Sequence, residues 1–249
     1  MNQGRKWSEA DKLQVMLLLL FAFNQFAWSQ SIAPDSAQYY SALKAAKSFY
    51  QSALKENYLL FNGGEYGTKG HQVNGFPFFA SPDMLKGTIY YKDYRYDDVE
   101  MKYDITSDQI VIYNYPKTDF IALQNERIPE FNINGHEFFH MDSSVSQHGK
   151  GYYERLCKGA IFLWAKRFKK IQIPAKAEDQ TAQFKEFDSY YLQRADNFYP
   201  ISNKRQLEHE MEDKLSEIKT YVRQNKIDFR HHFEEAAIKT VNYYNQLIN

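Results

Sequence analysis

Cysteine is almost missing from this chain. Cys157 is the only one in 249 residues, so no disulfide can form within the chain and an apolar core has to supply the stability. A chain of this length can bury such a core. Neither sign of charge is in excess, with 31 lysines and arginines against 31 aspartates and glutamates. Holding a phosphate backbone needs a basic surplus or a basic face, so this balance argues against nucleic acid as a partner. Long apolar runs are also lacking. The longest, Val15–Phe23, falls well short of the roughly 20 residues that a membrane-spanning helix needs. The 7 prolines and 11 glycines never gather into a linker, and no internal repeat or low-complexity tract divides the chain. The nucleophile elbow G-x-S-x-G, the phosphate-binding Walker A loop and the dinucleotide glycine pattern are absent.

What is present begins with an address. Arg5 and Lys6 precede the apolar run, Gln14 bounds it in front, and Asn24 and Gln25 interrupt it behind. Ala27 and Ser29 supply the small residues needed at the third and first positions before a cut. This order predicts a secretory signal peptide over residues 1–29, cleaved after Ser29, although Glu9 and Asp11 depart from a purely basic leader. Removing Arg5, Lys6 and Lys12 with Glu9 and Asp11 leaves a mature chain at net −1. Position 30 is Gln, where a lipoprotein signal would need Cys. The expectation is an exported protein, periplasmic or outer-membrane associated, with no transmembrane segment in the mature chain.

Hydrophobic periodicity divides residues 30–249 into three zones of one domain. Over 30–57, Tyr39, Leu43, Ala46, Phe49, Tyr50 and Leu54 recur at threes and fours, predicting a helix from about Asp35 to Glu56. Over 58–200 the period falls to two. Val99–Asp104 alternates strictly, Thr106-Ser107-Asp108 turns it, and Ile110–Tyr113 follows. Gly87–Tyr91, Asp119–Leu123, Glu130–Ile133, Glu137–Met141, Gly151–Leu156, Ala160–Arg167 and Glu186–Gln193 are further predicted strands, rich in the tyrosine and phenylalanine that suit a pleated surface. Short connections imply antiparallel pairing. Over 201–249, one stripe of Leu207, Met211, Leu215, Ile218 and Val222 and another of Phe229, Phe233, Ala236, Val241, Tyr244 and Leu247 predict an antiparallel helix hairpin, with Asp228 as a cap between them. The fold class expected is α+β: a curved antiparallel sheet flanked by an N-terminal helix and the C-terminal hairpin.

One motif carries a recognisable chemistry. His136-Glu137-Phe138-Phe139-His140 matches H-E-x-x-H, in which two histidines on one helical face grip a zinc ion beside a glutamate base. Asn134-Gly135 directly precedes it, and that pair between alternating segments is the strongest short hairpin signal. On a strand, residues four apart stand about 13 Å from one another, too far for zinc bonds of about 2 Å. The longer zinc-protease pattern also fails, with Ser143 and Ser146 at its Gly and third-His positions. Glu154 and Glu178 are the acidic ligands available downstream, at spacings that do not point to a metal site. No catalytic residue, metal ligand or cofactor is assigned.

Two further clusters stand out. Tyr90, Tyr94, Arg95 and Tyr96 fall in a stretch dense in rings and charges, which packs across a hairpin or offers a face for an apolar partner or a glycan. Lys166-Arg167-Phe168-Lys169-Lys170 is the tightest basic run. It reads as a solvated strand end whose lysines guard an edge, with contact to anionic lipid or polysaccharide as the alternative.

Several stretches carry a resemblance: Phe26-Ala27-Trp28-Ser29-Gln30, Leu60-Phe61-Asn62-Gly63 with Glu65-Tyr66, and Gly75-Phe76-Pro77-Phe78-Phe79. Gly87-Thr88-Ile89-Tyr90-Tyr91, Tyr96-Asp97-Asp98-Val99, Tyr103-Asp104-Ile105, Asn225-Lys226-Ile227-Asp228-Phe229 and Tyr243-Tyr244-Asn245 continue it. With these the chain resembles a signal-peptide-bearing family of exported Bacteroidota proteins of unknown function, along nearly all of its mature length. The resemblance implies a cell-envelope location and brings no reaction, cofactor or site residue. The expectation is an envelope protein with a binding or complex-accessory role, partnered by an envelope complex or by an apolar or glycan ligand. A zinc-dependent hydrolase using His136, Glu137 and His140, and a structural scaffold of an outer-membrane complex, are the alternatives.

Overall fold

A computed structural model describes residues 39–43, 45–46, 60, 63–67, 73–92, 94–114, 118–142, 149–173 and 181–248. The predicted signal segment lies outside them. So does most of the predicted helix from Asp35 to Glu56; its described part, 39–43 and 45–46, is helical and exposed. The chain forms two units, Met1–Lys55 and Glu56–Asn249, and the second carries the sheet.

Twelve strands make that sheet: β1 (Gly64–Glu65), β2 (Val73–Asn74), β3 (Leu85–Tyr91), β4 (Tyr94–Asp104), β5 (Gln109–Tyr113), β6 (Phe120–Ala122), β7 (Glu130–Ile133), β8 (His136–Met141), β9 (Gly151–Cys157), β10 (Ile161–Gln172), β11 (Ala182–Arg194) and β12 (Asn197–Ile201). Their order is β1-β6-β5-β4-β3-β7-β8-β9-β10-β11-β12, with β2 laid on β11. Two meanders, β3–β6 and β7–β12, are joined where Gly87–Tyr90 of β3 pairs with Glu130–Ile133 of β7. Every pairing is antiparallel except the short one between β2 and β11. The class is α+β, and the sheet is larger than its sequence signal.

Local chemistry sets the turns. Ile133 pairs with His136 around Asn134 and Gly135, which both adopt positive φ (50° and 88°), the geometry that lets a two-residue loop follow the strand twist. At the β4–β5 turn the Asp104 carboxylate accepts from the Thr106 and Ser107 amides, 2.8 and 3.1 Å, closing an Asx-type turn. The Lys169 amide donates to the Ile105 carbonyl at 3.2 Å. Because β3, β7, β8 and β9 stand between β4 and β10 in the sheet, that bond requires the sheet to curl.

Among the described residues, alternation then fills two large cores and a smaller cluster of Tyr153, Trp164 and Tyr191. Ile89, Tyr91, Met101, Tyr103, Ile110, Phe131, Phe138 and Tyr152 point inside the curl, where Tyr103–Phe138 and Phe131–Tyr152 meet edge to face at 5.0 and 4.9 Å. Each such ring pair adds about 0.5–1.5 kcal/mol beyond its burial. The second core lies under three helices: α1 (Lys204–His209), α2 (Leu215–Gln224) and α3 (Phe233–Ile248). Leu207, Met211, Ile218 and Val222 pack with Ala237, Val241 and Tyr244 against Cys157, Ile161, Leu163 and Leu192. The predicted stripe is therefore buried except for half-buried Leu215, and a 3-10 turn at Glu212–Lys214 breaks its helix in two. Asn203 caps α1 by accepting from the Gln206 amide at 3.0 Å. Tyr221 and Tyr243 stack at 4.0 Å to hold α2 on α3. Asn245 bonds both the amide and the carbonyl of Ile161, fixing α3 to β10. Asp228 caps the turn before α3, accepting from the Arg230 and His231 amides, and lies upstream of the helix start at Phe233.

Candidate functional site

β8 is a strand, as the Asn134-Gly135 pair predicts, and its histidines have separate partners. His136 Nδ1 lies 2.5 Å from Glu154 Oε1, with its ring against Phe79. The His140 ring sits edge-on to Tyr152, where burial and then the charge of Lys150 push its pKa below the usual imidazole value. Glu137 points to the other side of the sheet and pairs with Arg155 Nη2 at 2.6 Å. Four residues of strand are about 13 Å, so the two imidazoles do not share an ion. Glu178 lies outside the described residues. Among the described residues, no group of three histidines, cysteines, aspartates or glutamates is placed to hold a metal.

The four hairpin residues divide between two faces. Directly opposed residues share a face, and Tyr90 opposes Arg95 while Ile89 opposes Tyr96. The Arg95 guanidinium lies 5.7 Å from the Tyr90 ring centre, and its Nε donates to Asp97 at 2.9 Å. Thr88 donates to the same carboxylate oxygen at 3.0 Å. Tyr96, 8% exposed, joins the inner core, whereas Tyr94 at the tip is 62% exposed. Tyr90 and Arg95 thus form a small outer platform, and Tyr96 serves packing.

The basic run of β10 departs most from its sequence reading. Lys166, Arg167 and Lys169 are buried instead of solvated. Lys166 Nζ donates to Asp108 Oδ2 and the Tyr152 carbonyl, both at 3.0 Å. Lys169 Nζ donates to the Phe78 carbonyl at 2.6 Å. Arg167 gathers three carboxylates: Nε to Glu154 at 2.7 Å, and Nη1 to Glu234 at 2.6 Å and Asp188 at 3.1 Å. Tyr190 Oη donates to Glu234 at 2.9 Å. A polar chain therefore runs His136–Glu154–Arg167–Glu234–Tyr190, drawn from β8, β9, β10, α3 and β11.

Electrostatics follow from this crowding. Burial alone would discourage Arg167 from carrying its charge, but the Glu234 bond and the three carboxylates raise its pKa further. Glu234 is also opposed by burial, yet Arg167 and the Tyr190 hydroxyl hold it below the usual glutamate value. Asp188 goes the other way: burial outweighs Arg167 and lifts it above the usual aspartate value. Arg167 is shared among three carboxylates, and of these Asp188 also lines a cleft.

This cleft of about 500 Å3 is lined by Asp188, Tyr190, Pro200, Ser202, Gln206 and Phe233. The cleft forms where β12 ends and the chain turns into α1. The Phe233 and Tyr190 rings meet at 5.3 Å beside it. An acidic floor, aromatic walls and two polar side chains suit a ligand that brings positive charge or hydrogen-bond donors, and the volume is within the range of small-ligand sites. The sequence signal for this site was faint, since Arg167, Glu154 and Glu234 are far apart in the chain and only tertiary packing unites them. Searches of family models, curated proteins and solved structures find no match to this chain.

Proposed function

We propose that this chain is an exported cell-envelope protein that acts by binding, as an accessory of an envelope complex. Export rests on the Arg5-Lys6 leader, the short apolar run and the Ala27-Trp28-Ser29 cut site. One observation carries the binding role: the ionisable groups beside the 500 Å3 cleft are tied into fixed pairs around Arg167. Fixed charges shape a recognition surface, whereas a general acid or base has to exchange a proton with its ligand. Tyr90 and Arg95 on the hairpin add an exposed platform for a second contact, apolar or glycan.

The test combines location with contact. Cells expressing the full chain are fractionated, and a photo-crosslinking residue is placed at Pro200 on the cleft wall. The protein is expected in the envelope fraction, with a discrete cross-linked species that weakens when Tyr190 or Asp188 is changed to Ala. Cytoplasmic retention, or irradiation that yields no species beyond the monomer, overturns the proposal.

A further inference from the structure

Among the described residues of the unit that carries the sheet, four large apolar side chains are exposed. Tyr94 tips the β3–β4 hairpin, and the other three gather where β10 ends and β11 begins. These are Ile171, Ile173 and Phe187, at 45%, 75% and 38% exposure. The pairing of β9 with β10 reaches no further than Ala165, so Lys170–Gln172 pairs with Gln183–Lys185 of β11 alone.

Both faces of this ribbon end carry apolar groups. On one, Phe168 and Phe187 are directly opposed and stack at 5.6 Å. Lys170 opposes Lys185 on the same face. Lys170 Nζ lies 5.4 Å from the Phe168 ring centre, and Lys185 Nζ 5.7 Å from that of Phe187. On the other face Gly75–Phe78 runs over Phe184 and Lys169. Ile171 stands on that face outside the cover, and Ile173 follows it past the strand end. The neighbouring acids are already paired, Glu186 with Lys169 at 3.4 Å and Asp188 with Arg167 at 3.1 Å. Among the described residues, Lys170 and Lys185 therefore leave the ribbon end positive.

We propose that this ribbon end is a membrane-docking element that seats in the interface of a bilayer containing anionic lipid. It goes beyond binding at the cleft, since Asp188 lines the cleft from the face opposite Phe187. A protein groove covers one face of such a ribbon, whereas the interfacial layer of a bilayer surrounds both. Lysines whose stems lie beside Phe168 and Phe187 bury those stems with the rings and keep their ammonium groups at lipid phosphates. The outer backbone edge of Lys170–Gln172 has no strand beside it, which confines the element to the headgroup layer and keeps it from crossing.

The test attaches a nitrobenzoxadiazole dye to Gln172→Cys in the full chain, where buried Cys157 does not compete for it. A second sample carries the dye at Tyr94→Cys. With vesicles of phosphatidylethanolamine and phosphatidylglycerol, the dye at position 172 is expected to shift to the blue and brighten, while the dye at position 94 does not. Each dye reads only its own surroundings, so attachment through the apolar run Val15–Phe23 does not imitate the result. Lys170→Glu with Lys185→Glu, and separately Ile171→Ser with Ile173→Ser, should each weaken the response at least about tenfold. All four positions are exposed, so these variants should fold as the parent does. No shift at position 172, an equal shift at position 94, an equal shift with phosphatidylcholine alone, or an undiminished response from either double variant overturns membrane docking. So does a shift that grows with protein concentration without vesicles, which would make a second copy the occupant.

Discussion

Arg167 on β10 and Glu154 on β9 meet at 2.7 Å, with 8% and 4% of their side chains exposed. Asp188 and Glu234 complete the ring of acids around this guanidinium, and His136 takes the second oxygen of Glu154. Charges this deeply placed are tolerable only while each retains its partner.

Arg167→Met should therefore be severe. It leaves Glu154, Asp188 and Glu234 without their cation, and breaking a buried pair in this way costs about 3–5 kcal/mol. Urea unfolding checks it. Adding Glu154→Gln to Arg167→Met should recover part of the loss, because one stranded charge is removed; strictly additive losses would show that the pair is not coupled.

Two acids of the cluster should respond to pH with opposite signs. Glu234 has a folded pKa below its usual 4.5, held there by Arg167 and Tyr190 against burial. Its stabilisation is fully present above the unfolded value and is lost as pH falls through the folded one, so Glu234→Gln should cost stability at neutral pH and progressively less in acid. Asp188 has a folded pKa raised above its usual 3.8 by burial, against Arg167. Its ionisation opposes folding above the folded value, so Asp188→Asn should equal or exceed the parent at neutral pH and converge with it in acid. Equal pH trends for the two variants in denaturant melts would refute this assignment.

Cys157 should be inert in the folded protein. Burial pushes its thiol up to about 12, and its Sγ lies 3.6 Å from the Ile238 carbonyl under α3. A thiol reagent such as dithionitrobenzoate should label it only as α3 opens, at a rate that rises with urea. Immediate stoichiometric labelling in buffer would contradict the packing of α3 on β9.

Zinc provides a check on β8. A site held jointly by His136 and His140 needs a helix, so neither His136→Ala nor His140→Ala should abolish a stoichiometric zinc signal in calorimetry. His136→Ala should instead lower stability by roughly 1 kcal/mol through the lost Glu154 contact. A tight zinc site removed by either substitution would mean that β8 is not extended.

Much of the sheet was legible along the chain. Glu130–Ile133 and the Asn134-Gly135 turn coincide with β7 and its hairpin, because a two-residue loop of that type has few alternatives. β4 and β11 extend several residues past their predicted starts, where pairing with a neighbour outweighs weak local alternation. β12 was missed because Pro200 speaks against a strand; at a sheet edge its missing donor faces no partner. β1 and β2 hold two residues each, too few for any period to show. The basic run of β10 was misjudged for a different reason: Lys-Arg-Phe-Lys-Lys looks solvated until three carboxylates from β9, β11 and α3 are folded over Arg167.

Period and turn chemistry indicated most of the longer strands and the C-terminal helices, and that His136 and His140 would stand on an extended ribbon. These depend on interactions between residues close in the chain, whose preferences survive any packing. Folding alone decided that Arg167 would be buried among acids and that a cleft would open beside Asp188. Those outcomes depend on residues tens of positions apart, and only the curl of the sheet and the docking of α3 bring them within bonding distance.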